Sequence, residues 1–266
     1  MRNEFTVIIP VYNSEKFIER TLNSLIIQTI LPSEIIIIDD GSSDNTVDVI
    51  NKYFYKKKQP LSTIVKLFYQ DHKGPGAARN RGINEAKSNW ICFLDSDDLW
   101  SKNKLKKLNK YINDNKNCNF FCNYENVYNL NGTNYVLEYG KYFNKLTFYN
   151  DLYYKNMFST SAITAKRSIF INYGKFDESL MSAQDYDLWL RIAPYIKPFF
   201  IKEILGCYVI RKGNITSGKL IGRFLNEILI AHRYSKDVTR LLYIRKIFRI
   251  IAAYIFYYLQ RIVYDK

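Results

Sequence analysis

Three acidic residues close together in the sequence are the first candidates for chemistry. Asp95, Asp97 and Asp98 directly follow the apolar stretch 90–94 in "WICFLDSDDLW". Two carboxylates at positions i and i+2 of a loop can reach one hard cation, and Mg²⁺ or Mn²⁺ held this way keeps positions for substrate phosphates. The alternative is a polar loop in which Asp98 caps the next helix. The place of the motif after a strand-like stretch favours the metal interpretation.

Other acidic residues follow the remaining strand-like stretches of the first hundred residues. Apolar runs alternate with helical spacing, and the four runs are 6–12, 34–40, 64–69 and 90–94. This alternation predicts an α/β fold with a parallel sheet covered on both faces. Ligands of such sheets bind outside the carboxyl ends of the strands. The residues predicted at that edge are Pro10 to Asn13, Asp39, Asp40, Asp71, His72 and Asp95 to Asp98.

The segment "HKGPGAARNRG" (72–82) carries a candidate phosphate-binding arginine. It does not fit the dinucleotide-binding pattern GxGxxG, because position 79 is Arg and the segment follows the third strand instead of the first. An Arg near a helix start can contact a phosphate or a base. The alternative is that Arg79 and Arg81 are surface charges.

The segment "SAQDYDLWLR" (182–191) places Asp185 and Asp187 at the start of a predicted helix. A carboxylate there can be a helix cap, or it can be a general base if a partly apolar cleft raises its pKa. The residue types alone leave both interpretations open.

The charge balance narrows the class of partner. The formal net charge is +14, and residues 219–266 hold ten Lys/Arg but three Asp/Glu. A nucleic-acid-binding protein would spread its basic residues over a reading surface, so we expect no nucleic-acid partner. Four cysteines without a zinc-like pattern predict reduced thiols. The absence of a long apolar run and of a signal-peptide pattern leads us to expect a cytoplasmic protein.

The C-terminal segment 219–266 is predicted to be a basic amphipathic helical tail. From position 244 onward one helical face carries apolar and aromatic residues, and Arg245, Lys246 and Arg249 are predicted on the opposite side. The apolar face is Ile247, Phe248, Ile251, Ile255, Tyr258, Leu259 and Ile262. Such a helix can lie on an anionic membrane surface. The alternative is that this face packs on the rest of the chain or on a second copy, which would make a homodimer.

Six segments together resemble family 2 glycosyltransferases with the GT-A fold. They are "VIIPVYN", "IIIIDDGSSDNT", "GPGAARNRGINEA", "WICFLDSDD", "GKFDESL" and "QDYDLWLR". The resemblance covers roughly residues 4–217 and implies a Rossmann-like, mostly parallel central sheet flanked by helices. It divides the chain into a catalytic domain 1–218, with a nucleotide-binding half 1–100 and an acceptor half 101–218, and the tail.

The resemblance also implies an inverting transfer from a nucleotide sugar, with UDP preferred, to a surface-polysaccharide, lipopolysaccharide or lipid-linked glycan. Such an acceptor suits the basic amphipathic tail, which predicts a peripheral location on the inner face of the cytoplasmic membrane. The resemblance places the catalytic base at Asp185 and a divalent cation, Mn²⁺ or Mg²⁺, at Asp97 with Asp95. The residues assigned to the nucleotide by the same resemblance are Pro10, Tyr12, Asn13, Asp39, Asp40, Arg79 and Asp95.

Two positions depart from the pattern of many relatives. Gln184 stands where they carry Glu, and Arg211 and Lys212 stand where they carry a His. Arg211 is therefore predicted to contact the diphosphate, with a weaker dependence on metal. Competing functions are a nucleotidyltransferase, which the loop after the first strand does not fit, and a catalytically silent nucleotide-sugar binder or membrane scaffold.

Overall fold

The structure is a computed structural model that describes residues 3–57, 62–129, 134–180, 182–210 and 220–264. The strands are β1 (Phe5–Val11), β2 (Glu34–Asp39), β3 (Ile64–Tyr69), β4 (Trp90–Phe93), β5 (Leu99–Trp100), β6 (Phe120–Asn129), β7 (Asn134–Leu137), β8 (Ile163–Lys166) and β9 (Pro198–Ile210). The α-helices are α1 (Ile18–Ile26), α2 (Thr46–Lys57), α3 (Pro75–Glu85), α4 (Lys104–Asp114), α5 (Phe148–Tyr154), α6 (Arg167–Tyr173), α7 (Gln184–Ile192), α8 (Leu220–Arg233) and α9 (Arg240–Tyr264).

One sheet contains all of these strands. Its order is β3-β2-β1-β4-β8-β6-β9-β5, and β7 pairs with β6. Strand β1 is parallel to both β2 and β4, and β2 is parallel to β3, as predicted. The second half is mixed, because β8 is antiparallel to both β4 and β6 whereas β9 runs parallel to β6. The α/β fold is confirmed, and the parallel arrangement holds for its first half.

Apolar side chains cover both faces of the sheet. Along β2, Ile36 and Ile38 face the core layer that contains α3 and α7, while Ile35 and Ile37 face the layer that contains α1 and α4. Successive residues of a strand point to opposite faces, so a strand buried on both sides needs an unbroken apolar run. The four consecutive isoleucines of β2 meet this requirement.

Helix α3 lies very close to the first strand. A Cβ added at Gly82 would be 2.4 Å from Cγ2 of Ile8, a distance that only glycine avoids at this position. Gly74 precedes the helix with a positive φ of 89°, and Pro75 occupies its first turn, where a missing N–H costs nothing. The chain thus fixes the start of α3 against the carboxyl end of the sheet.

The loop after β1 contacts the start of α2. Helix α1 itself begins at Ile18 without a side-chain cap. The backbone N–H of Ser14 donates to Oγ1 of Thr46, the first residue of α2, at 2.6 Å. This hydrogen bond connects two neighbouring segments at the carboxyl edge of the sheet.

The C-terminal helices pack on the rest of the chain with a face that the sequence did not indicate. Lys246 was predicted on the polar side, but its side chain is fully buried, as is that of Ile250 one turn later. The predicted apolar face points outward, with Phe248, Ile255 and Tyr258 each more than half exposed. The side chains of Leu259 and Ile262 lie outside the described part. No helix in the described part of the chain is both long and apolar enough to cross a bilayer.

Candidate active site

The acidic loop, residues 95–98 after β4, is held in place mainly through its backbone. Oγ1 of Thr21 donates to the carbonyl oxygens of Ser96 and Asp98 at 2.9 Å each. The hydroxyls of Ser96 and Ser14 lie 2.8 Å apart. These contacts fix the loop without using the carboxylates of Asp95 and Asp97.

Asp98 differs from the other two acids of the loop because it is almost completely buried. Its carboxylate accepts from the Ser161 hydroxyl at 2.6 Å and from the backbone N–H of Val209 at 3.1 Å. Burial first, and then the charge of Asp95, raise the pKa of Asp98 well above its ordinary value. Asp98 therefore joins the loop to β9 and is not placed to hold a cation.

A buried lysine lies beneath this loop. Nζ of Lys104 donates to the carbonyl oxygen of Ser161 at 2.8 Å, and its side chain is fully buried. Desolvation lowers the pKa of Lys104 to about 8, although the carboxylates of Glu125 and Asp98 act in the opposite direction. The positive charge offsets part of the repulsion among the buried acids.

Arg79 connects helix α3 to the acidic loop. Its guanidinium donates to Oδ1 of Asp95 at 2.5 Å and lies over the ring of Phe176 at 5.4 Å from the centroid. The side chain is almost fully buried, and its Nε has no partner among the described residues. The surface-charge interpretation of Arg79 is therefore wrong, and its position beside Asp95 suits a diphosphate contact.

The two aspartates after β2 have different surroundings. The carboxylate of Asp40 accepts from Gln70 Nε2 at 2.7 Å, from the backbone N–H groups of Lys73 and Gly74 at 2.9 and 2.8 Å, and lies 2.9 Å from Nδ1 of His72. These contacts occupy both of its oxygens. Asp39 accepts from the backbone N–H of Ser42 at 3.3 Å, and its Oδ1 is buried with no partner in the described part of the chain. Of the two, Asp39 keeps an unused acceptor.

The residues predicted after β1 are divided between the sheet and its edge. Pro10 lies in β1, paired with Ile38 in the register. The ring of Tyr12 stacks on His72 with centroids 4.0 Å apart, and the Tyr12 side chain is 45% exposed, so one ring face is open to an aromatic base. Asn13 has a positive φ of 47°, and its Oδ1 accepts from the backbone N–H of Ser43 at 2.8 Å. Asn13 thus holds the loop, while Tyr12 faces outward.

The two aspartates of α7 have different surroundings. Asp187 is fully buried, and it pairs with Arg191 at 2.9 Å and Arg233 at 2.6 Å and accepts from the Tyr234 hydroxyl at 3.0 Å. It is therefore a structural residue. Asp185 is only partly buried, and it accepts from Nδ2 of Asn156 at 3.1 Å. Of the two, Asp185 is the one placed to take a proton from a bound substrate.

Helix α3 also brings the base close to the acidic loop. A Cβ added at Gly76 would lie 3.3 Å from Cγ of Gln184, the residue before Asp185, and Arg79 follows one turn later on the same helix. Burial raises the pKa of Asp185; the charge of Arg79 lowers it and the charge of Asp95 raises it by less. Asp185, Arg79 and the acidic loop thus influence one another's charge, as is typical of functional sites.

Asn156 gives a testable pH dependence. Its hydrogen bond lowers the pKa of Asp185, so Asn156→Ala should let that pKa rise further. A general base acts as the carboxylate, and activity is lost as the pH falls through its pKa. We expect the acidic limb of kcat/KM to move to higher pH in Asn156→Ala, and kcat on the plateau to fall about tenfold from poorer orientation. An unchanged limb in a pH–rate profile would contradict this role.

The acidic loop fits a cation that a substrate completes. Among the described residues no three His, Cys, Asp or Glu side chains form a cluster that would hold a metal alone. Mg²⁺ and Mn²⁺ that bridge phosphates need one or two carboxylates. Asp97 with Asp95 can supply them, and Asp95 is shared with Arg79.

Comparison with known proteins decides the family. The sequence model described as "Glycosyl transferase family 2" matches residues 6–174. The chain belongs to glycosyltransferase family 2. An uncharacterised glycosyltransferase of Rickettsia typhi is 29% identical over 204 residues, which is 75% of this chain and 62% of that protein. One of Rickettsia conorii is 33% identical, over 71% of this chain and 30% of that protein. This family 2 chain therefore spans less than two thirds of these relatives.

Solved structures confirm the GT-A fold of this family 2 chain. Staphylococcus aureus TarS 1–349 in complex with UDP-GlcNAc aligns with a TM-score of 0.70 at 23% identity, covering 93% of this chain and 71% of that one. A mannosyltransferase of Pyrobaculum calidifontis, in complex with GDP-Man and Mn²⁺, aligns with a TM-score of 0.67 at 18% identity, covering 96% and 70%. At these identities the likeness concerns the fold alone.

The predicted site residues divide into three groups. The first group lies at the carboxyl edge of the sheet: Tyr12, Asp95 and Asp97 are in loops, Asp39 ends β2, and Arg79 and Asp185 are in α3 and α7. Asn13 and Asp40 form the second group, which holds the loops there. Arg211 and Lys212 lie outside the described residues. Sequence reasoning missed Asn156 and Lys104. Asn156 carries no recognisable motif, whereas Lys104 stands four residues before Leu108 on the apolar face of α4 and could have been found.

Proposed function

We propose that the protein is an inverting glycosyltransferase of the hexosyltransferase class. It transfers the sugar of a UDP-hexose or UDP-N-acetylhexosamine donor to a hydroxyl of a surface-polysaccharide, lipopolysaccharide or lipid-linked glycan. One observation carries the proposal: Asp185 is held by Asn156 and is electrostatically coupled to Arg79, which itself binds Asp95 of the acidic loop. The residues proposed to bind the sugar donor and the proposed catalytic base are thereby brought together. The TarS complex with UDP-GlcNAc supports the choice of UDP.

The residues perform distinct parts of the transfer. The carboxylate of Asp185 takes the proton of an acceptor hydroxyl while the hydroxyl oxygen attacks the anomeric carbon. The new carbon–oxygen bond forms as the bond from that carbon to the diphosphate breaks, through an oxocarbenium-like transition state. Tyr12 stacks on the uracil ring of UDP, Asp39 accepts a hydrogen bond from that ring, and Arg79 contacts the diphosphate. Attack from the face opposite the nucleotide inverts the anomeric configuration.

Asp97, with Asp95, would hold a divalent cation at the diphosphate. When bound, Mn²⁺ or Mg²⁺ supplies Lewis-acid stabilisation of the charge that develops on the leaving group. The Mn²⁺ complex of the Pyrobaculum mannosyltransferase, which shares the fold, supports a cation of this kind.

The proposal is tested by transfer from UDP-GlcNAc, UDP-glucose, GDP-mannose and dTDP-glucose to a panel of octyl glycosides. We expect one UDP-sugar to be consumed, with the initial product in the opposite anomeric configuration by proton NMR. A retained configuration would contradict the single-displacement mechanism. Nucleotide binding without consumption of any donor would favour the silent binder.

We also propose that the protein is cytoplasmic and bound peripherally to the inner face of the cytoplasmic membrane. The outer side of α9 exposes Phe248, Ile255 and Tyr258, and Arg245 lies exposed on the same helix. An apolar face of this kind beside basic side chains suits an anionic lipid surface. The cysteines are all free thiols, in keeping with a reducing compartment.

Membrane binding gives a direct prediction. The double variant Phe248→Glu/Ile255→Glu should bind vesicles of equal parts phosphatidylcholine and phosphatidylglycerol at least about tenfold more weakly, since two exposed apolar side chains that would insert into the lipid are replaced by charges that anionic lipid repels. Sedimentation with vesicles measures it. Tyr55→Glu is the matched control, because Tyr55 is 88% exposed on α2. If the double variant instead loses a dimer while vesicle binding is unchanged, this face joins two copies of the chain.

A further inference from the structure

Lys246 of α9 is a fully buried cation whose amino group faces two tyrosines. Its Nζ donates to the carbonyl oxygen of Tyr153 at 2.6 Å and to the hydroxyl of Tyr186. The same atom lies 4.5 Å from the ring centroid of Tyr153 and 4.3 Å from that of Tyr186. No carboxylate of the described residues forms an ion pair with it. Neutral oxygens and aromatic faces therefore make its direct contacts, while the carboxylate of Glu227 acts on the charge from further away.

A buried ammonium without an ion pair is costly to fold. Desolvation first, and then the charge of Arg249, lower the pKa of Lys246 to about 7. An apolar side chain would attach α9 without this cost, as Ile250 does one turn later. The ammonium differs from an apolar side chain in making directional hydrogen bonds, which fix the positions of their acceptors on Tyr153 and Tyr186.

Both acceptors adjoin the proposed catalytic groups. Tyr186 follows Asp185 in the first turn of α7. Tyr153 stands near the end of α5, three residues before Asn156, which donates to Asp185 at 3.1 Å. The Tyr186 hydroxyl also donates to the Tyr153 carbonyl oxygen. One ammonium thus joins the segment that carries the base to the segment that carries its hydrogen-bond donor.

Helix α8 holds the same region by separate contacts. Arg233 pairs with Asp187, and Asn226 donates to the carbonyl oxygen of Ser182 at 3.2 Å. The Tyr153 hydroxyl also donates to the carbonyl oxygen of Ala231 in α8 at 2.7 Å. Helix α8 therefore contacts α5 and α7 through different residues, whereas the single amino group of Lys246 contacts both helices at one point.

We propose that Lys246 is a positioning residue for the catalytic base: it sets the distance between α5 and α7 so that Asn156 orients Asp185. The proposal rests on the proposed function, since it gives Asp185 the role of base. It assigns the C-terminal helix a part in the chemistry as well as in membrane contact.

The test compares Lys246→Met with Ile250→Val in the full chain. Methionine keeps the length of the side chain and removes its donors. We expect kcat to fall about tenfold or more, as small misplacements of catalytic groups do, with KM for the donor within twofold of the wild type. The melting temperature should stay the same or rise, because a buried charge is removed. Ile250→Val alters an equally buried site on the same helix and should keep kcat.

A second measurement does not depend on activity. In hydrogen exchange followed by mass spectrometry, peptides covering 184–192 and 153–158 should exchange faster in Lys246→Met than in Ile250→Val. Wild-type kcat and unchanged exchange in Lys246→Met would overturn the proposal. Equal losses of kcat in both variants, in step with their melting temperatures, would also overturn it, because Lys246 would then be only a packing residue. If the wild type itself transfers no sugar, the proposed function fails, and faster exchange still supports the bridge.

Discussion

Asp185→Asn is expected to lower kcat about 10³-fold, because general-base catalysis contributes about 10²- to 10⁴-fold. Asparagine keeps the size of the side chain and its contact with Asn156 but cannot take a proton. Since Asp185 is not assigned to the donor site, KM for the UDP-sugar should change little. Initial-rate kinetics with saturating acceptor measure both quantities.

The control for this variant is Asp114→Asn, an exposed aspartate at the last position of α4, the end of that helix opposite the acidic loop. It should keep the wild-type kcat. If Asp185→Asn kept more than about a tenth of the activity, a smaller loss than a general base supplies, the base would have to be sought elsewhere. Asp187→Asn would not be a useful comparison, because Asp187 is buried between two arginines and its loss would unfold part of α7.

The second large effect is expected at Asp97. Asp97→Asn should lower kcat/KM about 10³-fold, because a cation on the leaving diphosphate contributes several kcal/mol to the transition state and roughly 1.4 kcal/mol is a factor of ten. Chelation of divalent cations should reduce wild-type activity by a similar factor. Activity assayed with Mn²⁺, with Mg²⁺ and with excess chelator measures the effect.

The outcome also bears on Arg211, which was predicted to replace a metal-binding histidine. If chelation leaves the wild type active while Asp97→Asn loses activity, the carboxylate acts without a cation. In that case Arg211→Ala should lower activity in the presence of chelator. A wild-type rate in Asp97→Asn would contradict the assignment of the acidic loop.

The first half of the fold could be read from the sequence. Each buried parallel strand needs apolar residues on both faces, so β1, β2 and β4 appear as unbroken apolar runs. The carboxyl ends of these strands then define one edge, which is why Asp39 and Asp95 could be placed there together. Local pattern and tertiary structure coincide in this half.

The second half could not be read in the same way. The direction of β8 and β9 depends on which strand each one pairs with, and the long pairing of β6 with β9 contains register shifts that no local pattern indicates. The contact of Asn156 with Asp185 joins residues 29 positions apart and has no sequence signal. Pairing across the fold decides these features.

The tail shows how a charged residue can mislead. Lys246 was assigned to the polar side of the tail because helical spacing places it opposite the stripe that contains Phe248 and Ile255. A second stripe on α9, formed by Tyr243, Ile250 and Tyr254, turns inward and passes close to position 246 on the helix. The more apolar stripe, which was predicted to contact a membrane, lies on the outside. An apolar helical face in a sequence can therefore mark a binding surface as well as a core.

Calorimetric titration with UDP in the presence of Mn²⁺ measures the donor site itself. UDP should bind the wild type and Asp185→Asn equally. Binding should be at least about tenfold weaker in Asp97→Asn and in Arg79→Gln, since each removes a contact worth more than about 1.4 kcal/mol. Binding of UDP that is unchanged in both of these variants would contradict the site, and no binding of UDP, GDP or dTDP to the wild type would contradict a donor site at this edge of the sheet.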